Sequence, residues 1–326
     1  MAGLFAWSAE VLRSATSTSV IPDRMYDNMV SILLVCYNAK HFLPDCLNSI
    51  RDRVTVPYEV ILLDNASVDG TADVVRTEFS WVRLLRSEEN LGFTKGNNFA
   101  ARYARGKYYL LLNPDTVLLS DIAPAVRLLE SDRRVGIVGA EMYGGNRERR
   151  SSTGHFPRAM LLWKFGWLWS DPQKRPYGEP SLKAFQVDWV EGSFLLTTAE
   201  NWRALGGLDE SNFFYGDDVE FCRSTADHRL TTVHCTDIKY VHFGGYEASR
   251  LAYIYAGFRR YHRKFSSYPE QLLADAILRL GLFVRIGVFG VRYLVTRDKS
   301  VGEKFRRCIQ VHKSWKQTNS VAPRFS

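Results

Sequence analysis

Apolar runs and helical stretches alternate from Val30 onward, and that alternation decides the class of fold. Residues 30–37, 58–63, 82–85, 108–112 and 135–140 are strand-like, and residues 43–50, 71–77, 95–104 and 122–129 between them are helical. The strand-like runs are rich in Val, Ile and Leu, so both of their faces are expected to be buried. Such strands, separated by helices, give an α/β fold with a mostly parallel sheet covered on both sides. Ligands of these sheets bind beyond the carboxyl ends of the strands. Here those ends are polar: Tyr37-Asn38, Asp64-Asn65-Ala66-Ser67 and Asn113-Pro114-Asp115. Three strand ends are therefore expected to converge on one crevice.

Beyond residue 140 the pattern loosens. Residues 143–177, rich in Gly, Arg, Trp and Pro, read as a long excursion of the kind that often carries function. Regular structure resumes with a strand at 185–190, helices at 199–205 and 218–225, and strands near Thr231 and Ile238. With 326 residues, 46% of them hydrophobic, the chain buries a large core, which excludes disorder and fits one large domain with a smaller appendage. Cys36, Cys46, Cys222, Cys235 and Cys308 are odd in number and never spaced C-x-x-C, so neither a zinc site nor a disulfide framework is expected, and a reducing compartment fits. Residues 1–28 lack the basic start and long apolar run of a signal peptide and read as an N-terminal extension.

Several segments carry candidate chemistry. Asp64, directly after a buried run, suits a hydrogen bond to a base or ribose; a turn is the structural alternative, with Asp69 the better helix cap. Asn113 and Asp115, two apart in an extended segment, point the same way. Asp115 there suits a hard divalent cation that in turn holds a diphosphate, against the alternative of an ordinary N-P-D turn. Asn90-Leu91-Gly92-Phe93 followed by Lys95-Gly96-Asn97-Asn98 opens a helix with glycines and amides, which suits an anion or is simply a capped loop. In Phe213-Phe214-Tyr215-Gly216-Asp217-Asp218-Val219-Glu220, adjacent carboxylates repel unless solvated or paired with a cation. They form an acidic helix start or, given the aromatic approach, a partly buried general base. His242, beside Gly244 and Gly245, is a ligand type that suits manganese better than magnesium.

In this order and spacing the segments VSILLVCYNA, VILLDNASVDGT, NLGFTKGNN, LLNPDT, WVEGSFLL, GGLDESNFFYGDDVEFC and VHFGG resemble glycosyltransferase family 2, in its rhamnosyltransferase-like branch. The resemblance implies the GT-A nucleotide-sugar fold over residues 29–265, with a nucleotide-binding half to 140 and an acceptor half from 141. It implies an inverting, metal-dependent enzyme of cell-surface polysaccharide synthesis. The implied donor-binding set is Tyr37, Asn38, Asp64, Asn65, Gly92, Phe93, Lys95, Asn97 and Asn113. Glu191, Gly192 and Asp217 are the implied acceptor-side residues, Asp218 the catalytic base, and Asp115 and His242 the ligands of Mn2+ or Mg2+. Asn113 stands where many relatives carry the first aspartate of D-x-D, and Asp217 replaces a common glutamate. The implied donor is a dTDP- or UDP-sugar, dTDP-rhamnose best, and the acceptor a glycan or polyprenyl-linked glycan. A non-catalytic nucleotide-sugar-binding protein is the alternative, which Asp115, Asp218 and His242 together disfavour.

The net charge of +8 is unevenly spread: residues 251–326 hold 15 Lys/Arg against four acids, so the rest of the chain is slightly acidic. Residues 266–326 read as a basic amphipathic tail. Within it, residues 276–295 are apolar but carry Arg279, Arg285 and Arg292, which argues against a simple transmembrane helix. Arg285, Arg292 and Lys299 repeat every seventh residue, which predicts one cationic face, with Phe283, Phe289 and Leu294 free to insert in a membrane interface. The alternative is a helix packed on the domain. No nucleic-acid-binding motif accompanies the charge. The expected location is the cytoplasm, peripheral on a membrane surface; oligomeric state is not legible.

Overall fold

A computed structural model describes residues 26–162, 183–213, 215–244 and 251–315. Most of the N-terminal extension, residues 163–177 of the excursion, Phe214, Gly245 and the end of the tail lie outside the described residues.

The expected alternation is present. Strands β1 (Tyr26–Cys36), β2 (Tyr58–Asn65), β3 (Arg83–Ser87) and β4 (Gly106–Leu112) are linked through helices α1 (Leu43–Arg53), α2 (Thr71–Glu78) and α3 (Gly92–Ala101). β5 (Thr116–Leu118), α4 (Ala123–Ser131) and β6 (Val135–Tyr143) follow, and then the short strands β7 (Arg149–Arg150) and β8 (Thr153–Gly154). The expected strand at 185–190 is two strands, β9 (Ala184–Val187) and β10 (Trp189–Val190). β11 (Phe194–Thr198), α5 (Ala199–Ala204) and α6 (Asp217–Asp227) precede β12 (Thr231–His242), one strand where two were expected, with an irregularity between Cys235 and Lys239.

The main sheet runs β3-β2-β1-β4-β11-β6-β12-β5. β3, β2, β1 and β4 are parallel to one another; β11 enters antiparallel between β4 and β6, and β12 pairs parallel with β6. The chain winds outward from β1 to β3 and then returns to place β4 on the other side of β1. A crevice opens where the winding reverses, at the carboxyl ends of β1 and β4.

Successive residues of a strand face opposite sides. Val30, Ile32, Leu34 and Cys36 join one core with Leu43, Leu47 and Ile50 of α1 and Val126 and Leu129 of α4. Leu33, Ile61 and Leu111 join the opposite core with Ala100 of α3, Trp202 of α5 and Phe221 of α6. α3 lies close on the sheet because residue 96 is glycine: a Cβ there would stand 2.8 Å from Val35 Cγ1. All five cysteines are buried free thiols.

The remaining helices, α7 (Leu251–Phe265), α8 (Tyr268–Thr296) and α9 (Lys299–Ser314), pack together around Tyr255, Phe258, Leu278, Leu282, Cys308 and Trp315. Tyr261 and Phe265 of α7 also reach the second core of the sheet, so the helical trio is fixed to the domain. The expected cationic face of the tail is not formed. α8 ends at Thr296, Arg297 turns the chain through a left-handed conformation, and Lys299 opens the next helix. Arg285 is buried in the trio and Phe289 half-buried against it, whereas Phe283 and Leu294 stay exposed as expected.

Candidate active site

The carboxyl ends of β1 and β2 are stitched into one ledge. Asn38, in a left-handed turn, donates its N–H to Ser67 Oγ at 2.9 Å and accepts from Val68 N at 2.9 Å through its side chain. Asp69 accepts from Lys40 N and, through its other oxygen, from Thr71 N at the start of α2, whose N-cap position is Gly70 rather than the expected Asp69. Asp64 pairs in register with Cys36, which sets it beside Tyr37. Its carboxylate is fully buried, accepting from Ser67 N at 3.2 Å and Arg86 Nε at 3.3 Å. Tyr37 is 54% exposed on this ledge, an aromatic face open to solvent.

Two amides of the expected donor set are spent inside the fold. Asn65 Oδ1 accepts from Leu91 N, and its Nδ2 donates to Asn90 Oδ1 and the Gly92 carbonyl, so this buried side chain clamps the loop ahead of α3. Asn97 is also buried and donates to the Phe93 carbonyl one turn back. Lys95 is exposed on the outer side of α3. Gly92, at φ +77°, permits a close approach, since a Cβ there would lie 2.6 Å from the ring of Phe213. Phe93 N donates to the Phe213 carbonyl at 3.0 Å, tying this loop to the one that precedes α6.

A cavity of about 120 Å³ lies beside the ledge, lined by Phe93, Asn113, Asp115, Glu191, Gly192, Asp217, Asp218 and His242 from the expected set. Met142, Arg150, Ser193, Tyr215, Gly216 and Gly244 complete it. Pockets that enclose a whole drug-sized ligand run to roughly 300–1,000 Å³. This one has room for a reacting centre only, so a longer ligand would extend beyond it.

One part of the lining brings an acid, an imidazole and an amide together. Asp115 Oδ1 lies 3.3 Å from His242 Nε2, and Asn113 Nδ2 lies 3.5 Å from the same nitrogen. Gly244 leaves the space before them open: a Cβ would stand 2.6 Å from Asp115 Oδ2 and 2.8 Å from His242 Nε2. No cluster of three or more His, Cys, Asp or Glu side chains suited to a metal occurs among the described residues. One carboxylate and one imidazole nonetheless fit a divalent cation whose other ligands are diphosphate oxygens and water.

Another part of the lining is acidic. Gly216, at φ +81°, turns the chain so that Asp217 and Asp218 open α6. Asp218 Oδ2 accepts from Gly192 N at 3.1 Å and Oδ1 from Val219 N at 2.8 Å, which leaves further lone pairs on both oxygens. Burial and the nearby Glu191 carboxylate push Asp218 up to about 6, against the two backbone N–H groups that favour its ionised form. Burial and the charge of Asp218 push Asp217 higher still, to about 8. Both adjacent acids are thus held above the ordinary carboxylate range, and the charge of one opposes ionisation of the other.

Arg260 of α7 anchors this part of the lining from behind. Its Nε donates to Glu220 Oε1 at 2.5 Å, and Nη2 donates to the Tyr215 carbonyl at 3.1 Å, holding a residue with φ +74° just before Gly216. Gly257 of α7 packs against the same turn, where a Cβ would come within 3.0 Å of the Tyr215 carbonyl. Neither Arg260 nor Arg150 carried a motif-like signal in the sequence. Arg150 lies in the irregular excursion and reaches the cavity by donating to the Gly244 carbonyl.

Residues 31–191 match the sequence profile of Glycosyl transferase family 2. The chain is 23% identical over 257 residues to the low-salt glycan biosynthesis hexosyltransferase Agl10 of Haloferax volcanii, covering 76% of this chain and 78% of that protein. It is 26% identical over 216 residues to an N-acetylglucosaminyl-diphospho-decaprenol L-rhamnosyltransferase of Mycobacterium tuberculosis, covering 59% and 69%. Several other curated relatives are matched over only 36–39% of their length. Among solved structures, the mannosyltransferase PcManGT of Pyrobaculum calidifontis, in complex with GDP-Man and Mn2+, superposes with a TM-score of 0.54. That match covers 94% of this chain and 91% of the other at 15% identity, a likeness of fold. The fold is GT-A, and residues 31–191 belong to glycosyltransferase family 2.

Proposed function

We propose that this glycosyltransferase is an inverting, metal-dependent enzyme that transfers a sugar, with rhamnose from dTDP-rhamnose the favoured case, to a hydroxyl of a glycan or polyprenyl-linked glycan in cell-surface polysaccharide synthesis. The observation that carries this reading is that Asp218 and the Asp115–His242 pair line the same small cavity. The rhamnose and lipid-linked assignments draw support from the mycobacterial relative, and the cell-surface assignment from that relative and from Agl10.

Asp218, in its ionised form, takes the proton of the acceptor hydroxyl as that oxygen attacks the anomeric carbon. The bond from the anomeric carbon to the diphosphate breaks on the opposite face, and its electron pair leaves with the diphosphate. One displacement inverts the anomeric configuration and needs no covalent intermediate. A divalent cation held by Asp115 and His242 would offset the negative charge growing on the leaving group. The nucleoside lies over the ledge, with its base or ribose near Asp64 and Tyr37. Asp217, raised by burial and by the charge of Asp218, lines the acceptor side together with Glu191. The reaction is placed at the cytoplasmic face of a membrane, where a polyprenyl-linked acceptor is presented. The attachment we propose is peripheral; among the described residues no helix is long and apolar enough to cross a membrane.

Thermal melting of the purified protein against a panel of dTDP-, UDP- and GDP-sugars, with and without Mn2+, tests the donor and metal assignments. Binding to the folded state raises the melting temperature. Mn2+-dependent stabilisation by dTDP-rhamnose is expected; a response to UDP-sugars instead would reassign the donor. No response to any donor would favour a protein without turnover.

A further inference from the structure

We infer that the outer face of α8 is a docking surface for an anionic lipid bilayer, lying flat on it; this rests on the reading of a membrane-presented acceptor. α8 has 29 residues, about 43 Å at 1.5 Å per residue. Leu272, Leu273, Leu280, Phe283, Val288, Val291, Leu294 and Val295 are between 40% and 78% exposed along it. With Ala276 and Gly287, also exposed, they fall in one stripe roughly 160° wide at 100° per residue. A folded soluble chain rarely leaves so long an uncharged stripe in water.

The charges of the helix stand outside the stripe or turn away from it. Arg279 borders one edge and Arg292 the other, and Arg285 is buried on the inner side. Glu270, at the margin near the N-terminal end, accepts from Ala159 N, while Asp275 is taken by Arg259 and Arg279. Exposed Arg297, Lys299, Lys304 and Arg306 follow beyond the end of α8. An apolar stripe between cationic margins matches a hydrocarbon boundary under anionic headgroups. A second copy of the chain is disfavoured as the occupant, because pairing two such faces sets cationic margin against cationic margin. The arrangement differs from the face legible in the sequence: insertion falls to the aliphatic stripe, and Arg285 stays inside. The trio is also bolted to the catalytic turn through Gly257 and Arg260, so docking α8 fixes the acceptor side of the cavity relative to the lipid surface.

The test is cosedimentation of the full chain, without substrate, with vesicles of phosphatidylcholine alone or with 30% phosphatidylglycerol. Leu280→Glu/Leu294→Glu and Arg292→Gln/Arg297→Gln are compared with the unmodified chain. Binding to the anionic vesicles is expected to exceed binding to neutral ones about tenfold or more, and to fall at high salt. The glutamate pair should lower it by at least about tenfold and the glutamine pair by several-fold. Mn2+-dependent thermal shifts with donor sugar should stay unchanged in both variants, which separates failure of docking from failure of the catalytic reading. No binding to anionic vesicles, or equal binding by the glutamate pair, would overturn the inference. So would a dimer in light scattering that the glutamate pair dissociates, since the face would then belong to a second copy.

Discussion

Replacing Asp218 with Asn separates chemistry from binding in one side chain. The amide keeps the shape but cannot accept a proton at neutral pH, so the rate of transfer should fall by about 10²–10⁴. Asp218 is not part of the ledge, and donor affinity should change by less than about twofold. Stability should rise rather than fall. The folded state holds Asp218 at about 6 against an ordinary 3.8, so the fold favours the protonated form. The stability linked to that proton is complete below the unfolded value and is lost as pH climbs through 6. An offset of about two units is worth about 3 kcal/mol above pH 7. An amide has one oxygen for two backbone N–H groups, which returns about 1 kcal/mol. The net gain is about 2 kcal/mol, or a few degrees in melting temperature, at pH 8, and it should vanish near pH 4. The assay is melting across pH 4–8 beside transfer and donor titration. A variant that keeps its activity, loses donor binding, or melts lower at pH 8 would refute the reasoning.

Four further outcomes follow from the same geometry. In the unmodified enzyme kcat/KM should rise about tenfold per pH unit up to about pH 6 and then level, as Asp218 ionises; a limb centred near 8 would give the base role to Asp217. Chelation of divalent cations should abolish transfer, and Gly244→Ala should mimic it by filling the space before Asp115 and His242, read as loss of Mn2+-dependent thermal shift. Arg260→Met leaves the buried Glu220 carboxylate to Lys264, 3.7 Å away, with an expected cost of about 2 kcal/mol; kcat should fall more than donor affinity, and Arg260→Lys should restore part of it. Gly96→Val forces a side chain into Val35 and should cost about 2 kcal/mol in melting experiments with little effect on the chemistry of the surviving fold.

The sheet and its crevice were legible because both rest on local patterns. Continuous apolar runs identify strands buried on both faces, and polar residues at their carboxyl ends mark the crevice. The cavity residues contributed by Asn113-Pro114-Asp115, Asp217-Asp218 and His242 could be read the same way, each lying in a compact segment, whereas Glu191-Gly192 came only from the family resemblance. Asn65 and Asn97 were harder, because an amide beside a glycine loop looks the same whether it faces a ligand or clamps the loop. Only the positions of Leu91 and Phe93 in space decide between these. Arg150 and Arg260 lay beyond reach, one in an irregular segment and the other a helix away from the turn it supports. In the tail the helical character was legible but the cationic face was not, since α8 ends before Lys299 and which of its faces meets α7 and α9 depends on packing partners remote in sequence.

The central claim is single-displacement transfer with Asp218 as base. Proton NMR of a reaction with dTDP-rhamnose, Mn2+ and a polyprenyl-diphosphate-linked amino sugar reads nucleoside diphosphate release and the anomeric configuration of the product together. The account predicts stoichiometric release with the configuration of the donor inverted, and neither signal with Asp218→Asn. A retained configuration, or transfer that survives in the variant, would contradict it.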